Sequence, residues 1–144
     1  MGAIEPNFKV FSKSNDGALN LTKNFKVREF ACKDGSDPVI INTLIPHVCQ
    51  AVRNWFGYAF TPNSAYRTVS HNSSQSVSGA AKSNHIYGLA VDIPAKSGVC
   101  TPKQLYDFLD RLCGDSCELG LYSWGVHIAV QDTKRRFTDA GYKG

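Results

Sequence analysis

No stretch of this chain is long and apolar enough to cross a membrane: the run around Val39–Val48 falls far short of the roughly 18 residues a span needs. The opening Met1-Gly2-Ala3-Ile4-Glu5-Pro6 lacks the apolar centre of a signal peptide, and Pro6 stands where a myristoylation motif needs Ser or Thr. Charge of one sign is also scarce. Sixteen Lys and Arg against twelve Asp and Glu leave +4, dispersed apart from Lys134, Arg135 and Arg136, which argues against a nucleic-acid partner. The five cysteines are too few and too odd for a complete set of internal disulfides, so most are expected to be reduced and buried. Cys113 and Cys117 make a C-x3-C pair, but no second Cys/His pair at zinc-finger spacing accompanies it, and a structural zinc is not expected there. Repeats and low-complexity tracts are absent.

What is present reads as one soluble globular domain. Hydrophobic residues make up 42% of the 144 and charged ones 19%, a composition that folds, at a length that buries a core without staples. The first twenty residues lack clear periodicity and read as an arm (1–20) ahead of a folded domain (21–144). From Pro38 to Trp55 apolar residues recur at three and four, which predicts a helix kinked at Pro46 and stopped by Gly57. Phe60–Tyr66 reads as a short strand, and Gly88–Ile93 as a buried one. Ser70–Ser78, rich in Ser, Asn and Gln, reads as a loop. Thr101-Pro102 opens a helix whose apolar stripe is Leu105, Phe108, Leu109 and Leu112. Glu118–Tyr122 and Val126–Gln131, separated by Ser123-Trp124-Gly125, predict a hairpin. The fold class is therefore α+β, with a small, mostly antiparallel sheet covered by helices on one side.

His85 and Asp92 stand seven apart across Gly88, which opens the predicted strand. That strand would carry Asp92 inward, where a carboxylate needs a cation, an arginine or several hydrogen bonds. His127, between Val126 and Ile128, alternates with core residues of the hairpin. Two His and an Asp with one open position make an ordinary catalytic zinc shell. The alternative is three satisfied polar residues: His85 capping a loop, Asp92 paired with Arg67, and His127 bonded to backbone.

Ser83-x-His85-x-x-Gly88-x-Ala90-x-Asp92 resembles the zinc D-Ala-D-Ala carboxypeptidase and L-alanyl-D-glutamate endopeptidase family, whose fold the hedgehog signalling domain shares. Phe25-Lys26-Val27-Arg28-Glu29-Phe30-Ala31-Cys32, Asn63-Ser64-Ala65-Tyr66-Arg67-Thr68, and Gly120-Leu121-Tyr122 leading to Val126-His127-Ile128 follow the order found in small phage and bacterial members, over roughly residues 20–138. The resemblance implies Zn2+ on His85, Asp92 and His127, with Arg67 holding a substrate carboxylate or carbonyl. A planar guanidinium suits that task, because it can grip a carboxylate through two parallel hydrogen bonds. Ser83 and His71 are further candidates on the substrate side, Ser83 as a turn or supporting hydroxyl rather than a nucleophile. Tyr66 and Trp124 are candidates for the pocket wall or for ordinary packing.

The implied activity is hydrolysis of amide bonds in peptidoglycan stem peptides, as a carboxypeptidase or an endolysin-type endopeptidase, by a monomer. A phage product made in the host cytoplasm and acting at the cell wall would suit the lack of a signal peptide. The chain departs from the family where a proton acceptor is needed. The acid found three before the last zinc His, or two after it in small forms, is here Trp124 or Ala129. Glu118 is the replacement candidate, although a turn at Ser123–Gly125 puts Leu121 opposite His127 and Glu118 on the other face, with Asp132 at the wrong parity as well. A non-catalytic zinc-containing module that binds wall peptides is the competing expectation. A structural domain without metal is a third.

Overall fold

The structure, a computed structural model, describes residues 8–74 and 83–143. Phe8–Ser12 forms strand β1, followed by the single-turn helix α1 (Lys13–Asp16) and a 3-10 turn at Val27–Phe30. Strand β2 (Pro38–Asn42) leads into helix α2 (Leu44–Phe56), the one-turn α3 (Val69–Asn72) and a second 3-10 turn at Asn84–Tyr87. Then come β3 (Ala90–Pro94), α4 (Pro102–Cys113), β4 (Cys117–Tyr122), β5 (Gly125–Val130) and β6 (Arg135–Thr138). The chain is α+β. A four-stranded sheet in the order β3-β5-β4-β6 is antiparallel except at β4–β6, and β1 and β2 form a separate antiparallel pair.

Alternation along the strands sorts the sheet into two faces. Val91 and Ile93, Leu119 and Leu121, and Val126 and Ile128 are all at most 4% exposed and face the core, against which α2 and α4 pack. The opposite parity carries Asp92, His127, Glu118 and Gly120, so the apolar face anchors the sheet and the polar face carries the candidate site. Helix α4 has the predicted beginning: Thr101 Oγ1 accepts from Gln104 N–H, and the Gln104 side chain accepts from Thr101 N–H.

Four local expectations are corrected. The helix predicted from Pro38 begins only at Leu44, because Pro38-Val39-Ile40-Ile41-Asn42 pairs residue for residue with Phe8–Ser12. A β-branched run offered a partner strand takes the extended form. Pro46 sits in the first turn of α2, where its missing N–H costs nothing, so no kink results. Phe60–Tyr66 is not a ladder strand and makes only an isolated bridge, Ser64 to Asp92. Of the predicted Ser70–Ser78 loop, Ser70–Asn72 lies in α3 and Gln75–Ser78 lies outside the described residues. Cys32, Cys49 and Cys100 are free and buried as expected, whereas Cys113 and Cys117 form a disulfide between the end of α4 and the start of β4.

Candidate metal centre

His85 reaches the site from a 3-10 turn capped at both ends. Ser83 Oγ accepts from the His85 N–H at 3.2 Å, and Gly88 ends the turn with φ +69°. A Cβ on Gly88 would meet the Ile40 carbonyl oxygen at 2.4 Å, so neither the conformation nor the space admits another residue without strain. Asp92 and His127 are direct cross-strand partners on β3 and β5. Asp92 is 8% exposed and His85 2%.

The three side chains converge on one oxygen. Asp92 Oδ1 lies 3.2 Å from His85 Nε2 and 2.9 Å from His127 Nδ1. His85 Nδ1 is 2.7 Å from the Ala65 carbonyl, which only accepts, so this nitrogen carries a hydrogen and Nε2 is the ring atom that faces Asp92. A ring nitrogen and a carboxylate oxygen do not face one another across 3.2 Å unless a proton or a metal cation stands between them. Their donor atoms lie within 4.8 Å of one another, and imidazole nitrogens with a carboxylate oxygen suit zinc.

Burial pushes the Asp92 carboxyl up, but hydrogen bonds from His127 and His85 outweigh it and hold the group well below the usual carboxylate range. Burial likewise works against a charged His127, yet its bonds to Asp92 and Glu118 raise it to about 9 in the metal-free protein. The predicted pair between Arg67 and Asp92 is also present. Arg67 donates from Nε to Ser64 Oγ at 2.9 Å, from Nη1 to Asn72 Oδ1 at 3.2 Å and from Nη2 to Asp92 Oδ2 at 3.4 Å. Among the described residues three of its five N–H groups are thus engaged.

Glu118 corrects the expected parity. The hairpin loop is two residues, Ser123-Trp124, because Tyr122 pairs with Gly125, so Gly120 rather than Leu121 stands opposite His127. Glu118 therefore shares His127's face. Its Oε1 lies 2.8 Å from His127 Nε2, and its Oε2 accepts from Arg135 Nη1 at 2.6 Å. The bond from His127 lowers the Glu118 carboxyl to about 2, burial opposes, and Arg135 adds to the lowering. Gly120 leaves the space that the Phe137 ring fills, where a Cβ would come within 2.3 Å of that ring. Asp132 lies past the end of β5. Trp124 stacks on Tyr122 at 4.9 Å between centroids, while Tyr66 packs against the core. Sequence reasoning missed Arg135 and Phe137; their signal was β6 itself, an extended run that returns parallel to β4.

His71 does not join the triad. It lies with Cys32 and Asp34, the three offering donor atoms within 4.8 Å of one another.

An α+β sheet that brings two histidines and an aspartate together beside an arginine has the donor set of a metal-binding protein. The sequence profile described as peptidase M15 matches residues 20–129, and the chain belongs to that family of zinc peptidases. No curated protein and no solved structure matches the chain.

Proposed function

We propose that the protein is a zinc peptidase that hydrolyses amide bonds in peptidoglycan stem peptides, as a carboxypeptidase or an endolysin-type endopeptidase. The observation that carries this reading is the convergence of His85 Nε2 and His127 Nδ1 on Asp92 Oδ1, with Arg67 on the other oxygen of the same carboxylate. His85, Asp92 and His127 would hold the ion, which supplies a Lewis acid and an acidified water when bound. The Ala65 carbonyl orients His85, Glu118 orients His127, and Ser83 shapes the turn that presents His85. Arg67 holds a stem-peptide carboxylate, of which the free C-terminus and D-glutamate are two sources.

Glu118 is the proton acceptor in this reading. It pairs directly across the β4–β5 ladder with Ala129, on the same face, so it stands beside the position where small family members carry their acid. Lowered to about 2 by His127 and Arg135, it is ionised at neutral pH but a weak base, so taking a proton in this reading requires it to give up one of those two bonds. The arm over 1–20 and the domain over 21–144 belong to the same proposal, with Phe8–Ser12 laid along β2. So do monomeric action at the cell wall and a phage source.

Purified peptidoglycan incubated with the zinc-loaded protein should release stem-peptide fragments, identified by mass. Chelation should stop the release and zinc restore it. Trp124 and Ala129, neither able to take a proton, favour one other reading, a wall-peptide binding module. Retention on the same material with no fragment released from zinc-saturated protein selects that reading and ends the first.

A further inference from the structure

We propose that Cys32, Asp34 and His71 form a second metal site, separate from the His85/Asp92/His127 centre, that takes zinc or another thiophilic divalent cation. The two sets share no residue. This site draws a sulfur and a carboxylate from the loop after the first 3-10 turn, and an imidazole from α3. Their donor atoms all lie within 4.8 Å of one another. Around zinc, with bonds of about 2.0–2.3 Å, neighbouring donors stand roughly 3.5 Å apart, so a closure of little more than about 1 Å completes the set. Thiolate, imidazole and carboxylate together favour zinc over calcium or magnesium, which prefer all-oxygen shells.

One residue, Thr68, bonds two of the donor groups and the backbone of the third. The Thr68 N–H lies on Cys32 Sγ at 3.5 Å, the Thr68 hydroxyl donates to Asp34 Oδ2 at 2.8 Å, and Thr68 Oγ1 accepts from the His71 backbone N–H at 3.1 Å. Hydrogen bonds of this kind to the ligating groups are what holds a metal shell in shape. Cys32 is buried, His71 half-buried and Asp34 exposed, so an ion can enter from the Asp34 side, and three protein donors leave a position for water. Thr68 directly follows Arg67, whose guanidinium reaches Asp92. A cation here therefore ties the Cys32–Asp34 loop to the segment that aims the arginine. The site would be a structural staple beside the His85/Asp92/His127 centre.

Cobalt(II) titration of the full chain, stripped of metal and with its disulfide intact, tests this, because only a sulfur-containing site gives a near-ultraviolet thiolate-to-cobalt charge-transfer band. The wild type should bind two equivalents and show the band. Cys32→Ser should lose the band and one equivalent, whereas His85→Ala should lose one equivalent and keep the band. Should Cys32→Ser fail to fold, the double variant Asp34→Asn, His71→Ala supplies the same readout, an equivalent lost. A Cys113→Ser, Cys117→Ser variant should leave the band intact, and its loss there would overturn the proposal. A wild type with no band, or a folded Cys32→Ser variant that binds as much metal as the wild type, also overturns it and leaves Cys32 as a brace for Thr68. Because the band reports only the sulfur site, the outcome is independent of whether the His85 centre turns over peptides.

Discussion

At His127 one imidazole stands between two carboxylates, with Nδ1 on Asp92 and Nε2 on Glu118, and its protonation follows from that position. In the metal-free protein its pKa is raised from 6.5 to about 9, so the stability it contributes is complete below pH 6.5 and lost as pH rises through 9. Glu118 is lowered from 4.5 to about 2, so its contribution is complete above pH 4.5 and lost as pH falls through 2. Chelated protein should accordingly have its highest unfolding midpoint between these limits. Urea melts at steps from pH 4 to pH 9 check this, and a midpoint still rising toward pH 9 would contradict it. Glu118→Gln should abolish amide hydrolysis with zinc retained, since the amide keeps the shape and cannot carry the proton. Ala129→Asp in that background should restore turnover, because residue 129 is the cross-strand partner of residue 118. Equal cleavage by wild type and Glu118→Gln would exclude Glu118 as the acceptor. Arg67→Lys should weaken peptide cleavage and leave zinc content unchanged, because a point charge does not reproduce the guanidinium fork. Zinc loss in that variant would make Arg67 part of the support for Asp92 instead.

At the scale of elements, the glycines beside the site do work that no side chain can. Gly88→Ala combines a left-handed backbone with a clash against the Ile40 carbonyl, and should cost about 1–3 kcal/mol in a denaturant titration. It should also weaken zinc binding, because it moves the turn that presents His85. Helices and strands with local cues were legible. The capping pair Thr101-Pro102 and the stripe of α4 match the helix seen at Pro102–Cys113, and the alternation around His127 matches β5. Pro38–Asn42 was not legible, because its partner lies some 30 residues away in β1 and helical spacing continues through Leu44–Phe56. The hairpin was legible as a hairpin but not in its register. Counting Gly125 as turn or as strand moves the register by one residue, and one residue exchanges the faces.

Over the whole molecule, the apolar face of the sheet and the helices upon it form a core that owes nothing to the metal: Phe25, Ile93, Leu105, Leu109, Leu119 and Ile128 are each fully buried. Removing zinc should therefore leave the far-ultraviolet circular dichroism unchanged and lower the melting temperature; collapse of the spectrum on chelation would contradict this. Leu109→Ala, deep in that core, should cost about 2–5 kcal/mol without altering the number of metal ions bound. The sequence by itself determined the fold class, the buried and polar parities of β3 and β5, and the residue types of the His85/Asp92/His127 set, since these depend on local periodicity and on the chemistry of the side chains. Only the tertiary structure decided that Glu118 faces His127, that Arg135 and Phe137 complete that face, and that Cys32 and Asp34 meet His71. Those contacts depend on strand register and on segments distant in the chain, and local propensity carries neither.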